Sequence, residues 1–234
     1  MFMRLFFFAF ILLSSSLLAQ HTEIGIISGA SYYIGELNPS RHLINKVKPA
    51  IGLFYRKNSN KRYSLRGGIN YANLSASDDL IETNIGEYRD LTFSANLLEG
   101  YGVLELNFMP YQINNEKTSP FTPYVFIGLA VFHTGITASE KLEGQVSSGS
   151  AKSVTSASIP FGLGIKFNFI ENLGLGVEWG LRKTFTDQLD GLPTVYFDNY
   201  QLSNSQNKDW YSIVGLSINY KFLTKRDNCP GVIN

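Results

Sequence analysis

Apolar residues alternate with small or polar residues along most of this chain, which is the side-chain period of a β-strand. The clearest run is IPFGLGIKFNF at residues 159–169, where every odd position is Ile, Leu or Phe. The same pattern predicts strands at 23–35, 50–56, 63–71, 173–182 and 214–222. Less regular runs at 91–110 and 122–134 bring the predicted number of strands to eight.

The second face of these strands distinguishes a membrane barrel from a soluble sandwich. A soluble sandwich buries its large aliphatic residues and exposes polar ones such as Lys, Glu, Thr and Ser. In residues 173–182 the face opposite the aliphatic residues carries only Gly174, Gly176, Glu178, Gly180 and Arg182. Glycine and aromatic residues are also frequent, at 21 residues and 14% of the chain. This pattern predicts an eight-stranded antiparallel transmembrane β-barrel with lipid outside and a narrow, filled lumen.

The predicted connections differ in length in an alternating way. Outer-membrane barrels have short periplasmic turns and longer outer loops. The alternation therefore predicts an integral outer-membrane protein with both termini in the periplasm. The predicted connections are 36–47 (long), 58–61 (short), 75–90 (long), 111–121 (medium), 137–155 (long), 170–172 (short) and 183–209 (long).

Charged residues on the glycine face are predicted to point into the lumen. An unpaired buried charge is costly, so charges of both signs predict a cross-linked ionic network and no wide channel. Glu178 and Arg182 lie about 13 Å apart along their strand, so each is expected to pair with a neighbouring strand. The predicted inward charges are Glu23, Arg56, Arg66, Glu99, Glu105, Lys166, Glu178, Arg182 and Lys221.

One strand departs from the simple alternation. Its polar residues fall first at even and then at odd positions: Thr92, Ser94, Asn96, Glu99, Glu105 and Asn107. We therefore predict a β-bulge near Leu97 and Leu98, where one extra residue would change the phase. The run also exceeds the 9–11 residues of a tilted membrane strand, so it is expected to project beyond the bilayer.

The chain begins with a predicted secretory signal peptide, residues 1–19, in which a positive start precedes an apolar run that is too short to span a bilayer. The barrel is predicted over 20–223 and a polar periplasmic tail over 224–234. The net charge of +1 gives no indication of nucleic-acid binding.

Catalytic and cofactor motifs are absent from the sequence. There is no G-x-S-x-G, no H-E-x-x-H and no glycine-rich phosphate loop, and the three histidines do not have metal-ligand spacing. We predict no enzymatic activity, cofactor or metal. The strongest catalytic alternative is a lipid-modifying barrel that uses His133 with Ser139 and Glu140. The serine-rich segment 139–158 is interpreted as a mobile outer loop, which leaves a surface-binding role open.

The single cysteine lies in the predicted periplasmic tail, in TKRDNCPGVIN. An odd cysteine in an exported protein suggests an intermolecular disulfide or a free thiol. Our hypothesis is that Cys229 forms a disulfide with a periplasmic partner. A reduced, inert tail residue is the alternative.

An ordered set of segments along nearly the whole mature chain resembles the Bacteroidota outer-membrane barrel family of the type IX secretion component PorG. The segments include YIGELNP (33–39), LELNFMPY (104–111), EWGLRKTFTDQLD (178–190), DWY (209–211) and the late CP (229–230). The resemblance implies a non-enzymatic part of a protein translocon. Its implied partners are a periplasmic ring lipoprotein and the ring partner of that lipoprotein, PorK and PorN.

Two of the predicted periplasmic segments are long enough to be favoured for docking to such a ring. One is the turn at 111–121, with Asn114, Asn115, Glu116 and Lys117, and the other is the tail, with Cys229 and Pro230. A paralogous surface-binding barrel remains the main alternative function.

Overall fold

The computed structural model describes residues 21–34, 47–77, 92–111, 119–142, 145–147, 152–170, 172–186, 189, 196–197, 200–201 and 208–222. Eight long strands dominate these ranges: β1 (His21–Ile34), β2 (Lys48–Asn58), β3 (Tyr63–Ser77), β4 (Thr92–Asn107), β5 (Phe121–Leu142), β7 (Lys152–Ile170), β8 (Leu173–Thr184) and β11 (Trp210–Phe222). Three short strands accompany them: β6 (Gln145–Ser147), β9 (Tyr196–Phe197) and β10 (Tyr200–Gln201). Among the described residues, no helix is long and apolar enough to cross a membrane.

The eight long strands form one closed antiparallel sheet. Each pairs with the next long strand along the chain, and β1 pairs with β11 to complete the circle. Closure satisfies the backbone groups that the edge of an open sheet would leave unpaired, which a bilayer requires. The predicted eight-stranded barrel is confirmed.

The pairing register also fixes the width of the barrel. Following paired residues once around the eight strands, from Phe222, leads back to β11 at Ser212, a shift of 222 − 212 = 10 positions. Eight strands with this shear tilt by about 40° and form a barrel with a radius of about 8 Å. Long side chains from opposite walls can therefore meet inside it.

The distribution of side chains is inverted relative to that of a soluble protein. In β8, Gly174, Glu178 and Arg182 are buried, whereas Val177 and Trp179 are exposed on the outer face. The outer faces of the other long strands also carry large aliphatic or aromatic residues, with exposed fractions up to 71% at Leu129. A charged interior beneath an apolar exterior is the arrangement of an outer-membrane barrel.

The predicted β-bulge in β4 is wrong. The strand pairs with β3 over Thr92–Leu106 and with β5 over Thr92–Asn107 without a register shift, and its odd positions face inward from Ala95 to Asn107. Ser94 and Asn96 are polar because they lie on the outer face of a long strand, near the end that carries the long connections. Leu97 is apolar because it faces an apolar part of the interior. The apparent phase change therefore reflects two different environments along one regular strand.

The serine-rich segment 139–158 also differs from its prediction as a loop. β5 continues to Leu142, β6 pairs with its end, and β7 already begins at Lys152. Ser153 to Ser158 pair with β5, so Ser and Thr here form a strand. At 22 residues, β5 is about twice as long as a membrane strand needs to be, so its end extends beyond the apolar band.

Candidate functional site: barrel interior and short-turn rim

All nine charges predicted to face inward are buried in the interior, each with 4% exposure or less. Asp209 is also buried, so the described residues place five cationic and five acidic side chains inside the barrel. We call eight of them the charged interior: Glu23, Arg56, Arg66, Glu99, Glu105, Lys166, Glu178 and Arg182. Six of the eight lie in the half of the barrel nearer the short turns.

Glu105 on β4 is the centre of the charged interior. Its carboxylate forms ion pairs with Arg56 Nε at 2.9 Å, Arg66 Nε at 2.7 Å and Lys166 Nζ at 2.5 Å. These cations come from β2, β3 and β7, so one side chain joins four strands. The positive charge that faces Glu105 is offset by further carboxylates, since Arg56 also pairs with Glu23 and Arg66 also pairs with Glu178.

The partners of Glu178 and Arg182 lie across the lumen. Glu178 on β8 pairs with Arg66 on β3 at 2.6 Å, and Arg182 on β8 pairs with Glu99 on β4 at 3.4 Å. The prediction that each would pair with a neighbouring strand is therefore wrong. In a barrel this narrow, an arginine and a glutamate extended from opposite walls are long enough to meet.

Tyrosine hydroxyl groups complete the charged interior. Tyr124 donates a hydrogen bond to Glu178 at 2.6 Å, and Tyr211 donates one to Glu99. Two glycines make room for these groups: a Cβ at Gly164 would lie 2.7 Å from the Tyr124 ring, and one at Gly180 would lie 2.5 Å from Arg182 Nη1. The glycine face of the strands thus accommodates the large side chains of the lumen.

The other end of the lumen is filled by a different kind of packing, which we call the apolar interior. Phe132 and Tyr211 pack edge to face there, with ring centroids 5.7 Å apart. Its buried members are Tyr33, Ala50, Ala72, Leu74, Ala95, Leu97, Phe132, Ile136, Leu189, Tyr211 and Ile213.

Leu189 closes the apolar interior from the long connection between β8 and β11. Its side chain is fully buried, and its backbone N–H donates to Asp209 Oδ2 at 2.9 Å. Asp209 also accepts a hydrogen bond from the Tyr33 hydroxyl at 2.5 Å, and its carbonyl accepts one from Thr184 Oγ1 at 2.7 Å. This closure was not predicted from the sequence, although Leu189 stands out as an apolar residue within the polar stretch TFTDQLD.

The end of the barrel that carries the short connections is tied together by backbone hydrogen bonds. We call this end the short-turn rim: residues 58–63, 107–111, 119–123 and 168–173 with the adjoining end of β11. The links include Asn107 N–H to Arg62 O at 2.7 Å, Phe108 N–H to Pro123 O at 3.0 Å and Asn168 N–H to Pro120 O at 2.7 Å. The links join successive turns of the rim, so this end of the barrel is preorganised.

Tyr111 strengthens the rim from inside. Its ring is 3% exposed, and its hydroxyl donates to Phe167 O at 3.3 Å. Burial raises the pKa of the Tyr111 phenol, because the charged form would lose its hydration. The shift moves the phenol further from ionisation, so its hydroxyl remains a hydrogen-bond donor to Phe167 O.

The residues predicted to contact a periplasmic partner lie outside the described residues. They are Asn114, Asn115, Glu116, Lys117, Cys229 and Pro230. The described neighbours of the first four are Tyr111 and Ser119 in the short-turn rim, and Ser119 N–H donates to Pro110 O at 2.9 Å across that segment.

The backbone of β5 does not bring His133 and Ser139 of the catalytic alternative together. His133 is exposed on the outer face of β5, and its Nδ1 forms a hydrogen bond with Thr155 Oγ1 at 2.8 Å. Ser139 lies six residues further along the same strand, which places it about 20 Å away. The described residues also hold no group of three His, Cys, Asp or Glu side chains that could bind a metal ion.

A family described as a domain of unknown function, DUF6089, matches residues 3–231. The chain belongs to this family. No curated protein matches it significantly.

Solved structures similar to this DUF6089 protein are small bacterial membrane barrels. Ail of Yersinia pestis, in complex with a heparin analogue, is 14% identical, with 88% of this chain and 100% of that chain covered and a TM-score of 0.47. Neisserial surface protein A is 12% identical, with 86% and 97% covered and a TM-score of 0.47. A major outer membrane protein from Thermus thermophilus is 14% identical, with 86% and 99% covered and a TM-score of 0.45.

Proposed function

We propose that this protein is the outer-membrane barrel component of the type IX protein secretion system and anchors a periplasmic lipoprotein ring to the outer membrane. The observation that carries the proposal is the filled lumen. Ion pairs fill the charged interior, and Leu189 closes the apolar interior from the opposite end. A barrel filled in this way suits an anchor better than a pore, so the useful surface is its rim.

The short-turn rim supports an anchoring role. A docking surface that is already ordered loses little conformational entropy when its partner binds. Backbone hydrogen bonds hold the rim turns in fixed positions relative to one another. With both termini in the periplasm, as the connection lengths predict, this rim faces the ring. The described part of the rim thus adds the exposed Phe108 to the residues expected to contact a partner.

The resemblance of the sequence to the PorG family supplies the identity of the proposed partners, the ring lipoprotein and its ring partner. The tail after β11 would lie on the same side as the short-turn rim. There Cys229 is proposed to form a disulfide with the ring, since the periplasm is oxidising.

A deletion and a pull-down test this proposal together. Deleting the gene should abolish secretion of proteins that carry the C-terminal signal of the pathway. A non-reducing pull-down of the tagged protein from native outer membranes should retain a periplasmic lipoprotein as a heavier band, and Cys229→Ser should remove that band. Normal secretion after a clean deletion would contradict the proposal. Loss of secretion with unchanged gels would reject only the disulfide.

The long extension beyond the barrel favours a second candidate, a surface-binding barrel. The sheet continues past the apolar interior through β5, β6 and β7. This extension is larger than a simple connection between two strands requires. Removing residues 140–148 would shorten this extension and would keep the residues through which β5 and β7 pair, up to Ile136 and Lys152. If the surface-binding function is the true one, adhesion or ligand binding should fall in this variant, whereas ring anchoring should be unaffected.

A further inference from the structure

Two neighbouring rows of side chains cross the lipid-facing surface of the barrel. One row runs from Leu65 on β3 to Leu181 on β8, and the other runs from Tyr63 to Trp179 across the same five strands. The residues of each row are backbone partners of one another, so the rows follow the hydrogen-bonding direction. A groove of about 660 Å³ lies along them, and Val125 and Ile127 are near its middle.

The dimensions of the groove fit one lipid chain. Five strands with a spacing of about 4.8 Å give the groove a length of about 19 Å. Because the strands tilt by about 40°, the groove climbs about 12 Å along the barrel axis. One leaflet spans about half of an apolar band roughly 25 Å tall, so the rise of the groove is close to the depth of one leaflet. The volume is also within the range of pockets that hold small molecules.

The low end of the groove is next to fixed positive charge. Tyr63 begins β3 there, and the exposed Lys61 and Arg62 precede it in the turn. Asn60 Oδ1 accepts hydrogen bonds from the backbone N–H groups of Arg62 and Tyr63, each at 2.8 Å. Arg62 Nη1 also donates to Phe108 O at 3.1 Å, which holds the guanidinium at the rim and leaves further donors free to bind an anion.

We propose that this groove binds one glycerophospholipid, with an acyl chain between the two rows and its phosphate at Lys61 and Arg62. A phosphate is the complementary charge for an arginine beside a lysine. The groove reaches the rim where headgroups of the leaflet on the short-turn side would lie. Annular lipid that merely surrounds the barrel would not depend on these residues.

Native mass spectrometry of the full-length, delipidated protein tests the site. The protein is incubated with dipalmitoyl phosphatidylglycerol and, separately, with dipalmitoylglycerol, which has the same chains but no phosphate. The wild type should retain one phosphatidylglycerol molecule and little of the neutral lipid.

Three variants locate the binding. Val125→Trp places a large ring in the middle of the groove, and a Lys61→Gln, Arg62→Gln double variant removes the charge. Each should retain roughly tenfold less phosphatidylglycerol, the effect of losing about 1.4 kcal/mol of binding free energy. Leu216→Trp is the matched control, because Leu216 is exposed on β11, outside the groove.

The control should bind like the wild type. Equal retention by all four proteins would identify nonspecific annular lipid and overturn the proposal, as would no retention by the wild type. Equal binding of the neutral lipid would overturn the phosphate assignment. Folding of each variant is checked by the gel shift of the unheated barrel. None of these results depends on secretion, so the lipid site and the anchoring role can fail separately.

Discussion

The two ends of the lumen are filled by opposite physical means. Near the short-turn rim, Glu105 is held by three cations, and each of the arginines contacts a second carboxylate. At the other end, Phe132, Leu97 and their neighbours fill the lumen mainly by apolar contacts, and Leu189 closes it. Buried ion pairs depend on the identity of each partner, whereas apolar packing depends mainly on volume. The two regions should therefore respond differently to substitutions that preserve shape.

The largest effect is expected at the centre of the charged interior. Glu105→Gln keeps the shape of the side chain but leaves Arg56, Arg66 and Lys166 without their shared anion. Removing one partner of a buried ion pair costs about 3–5 kcal/mol, so the free energy of unfolding should fall by about that amount. Urea unfolding of the barrel in lipid vesicles measures it.

A second substitution supplies the control for Glu105→Gln. Adding Lys166→Met removes the cation whose carboxylate partner is lost and should recover part of the lost stability, whereas Arg56 and Arg66 keep Glu23 and Glu178. If Glu105→Gln costs less than about 1 kcal/mol, the network is not the support that the structure indicates.

Phe132→Ala in the apolar interior should cost slightly less, about 3 kcal/mol, because it leaves a cavity beside Tyr211. Phe132→Leu should cost only about 1 kcal/mol, since an apolar side chain of similar size can repack. The same urea titration compares both variants. A shape-preserving change that proved as costly here as at Glu105 would erase the distinction between the two regions.

Leu189→Ala probes the closure of the apolar interior and should lower the free energy of unfolding by about 2 kcal/mol. The effect should be modest because Asp209 still accepts the backbone N–H of residue 189 in this variant. Asp209→Asn, which weakens the hydrogen bonds from Tyr33 and from that N–H, is the companion variant. If neither change alters unfolding, the long connection does not stabilise the mouth of the barrel.

The smallest effect is expected on the lipid face. Leu216 is 65% exposed to lipid on β11, so Leu216→Ala loses part of the transfer of its side chain from water into lipid but leaves no cavity, and the free energy of unfolding should fall by about 1 kcal/mol in vesicles. A much larger loss at this position would mean that the outer face packs against something other than lipid.

The sequence predicted the orientation of side chains well because alternation is a local property of a strand. Glu178 and Arg182 were assigned to the interior from their spacing alone, and both are buried. Their partners could not be read in the same way, because contacts across a lumen depend on barrel width and shear. These arise from the register of all eight strands together.

Two further errors have a physical explanation. A β-bulge was predicted near Leu97 because the sequence does not show that the interior changes from charged to apolar along β4. The roles of Leu189 and Asp209 in closing the barrel were missed because their contacts join residues that lie far apart in the chain. Tyr33 and Asp209, for example, are separated by 176 positions. Long-range closure of this kind has no local sequence signal.

The most direct test of the central claim, that the lumen of this barrel is filled and does not form a channel, is single-channel recording in planar lipid bilayers. The refolded full-length protein should insert without stable conductance steps, because ion pairs and apolar packing occupy both ends of the lumen. Reproducible, ion-selective steps from the wild-type protein would contradict the account and would identify the charged interior as the lining of a pore.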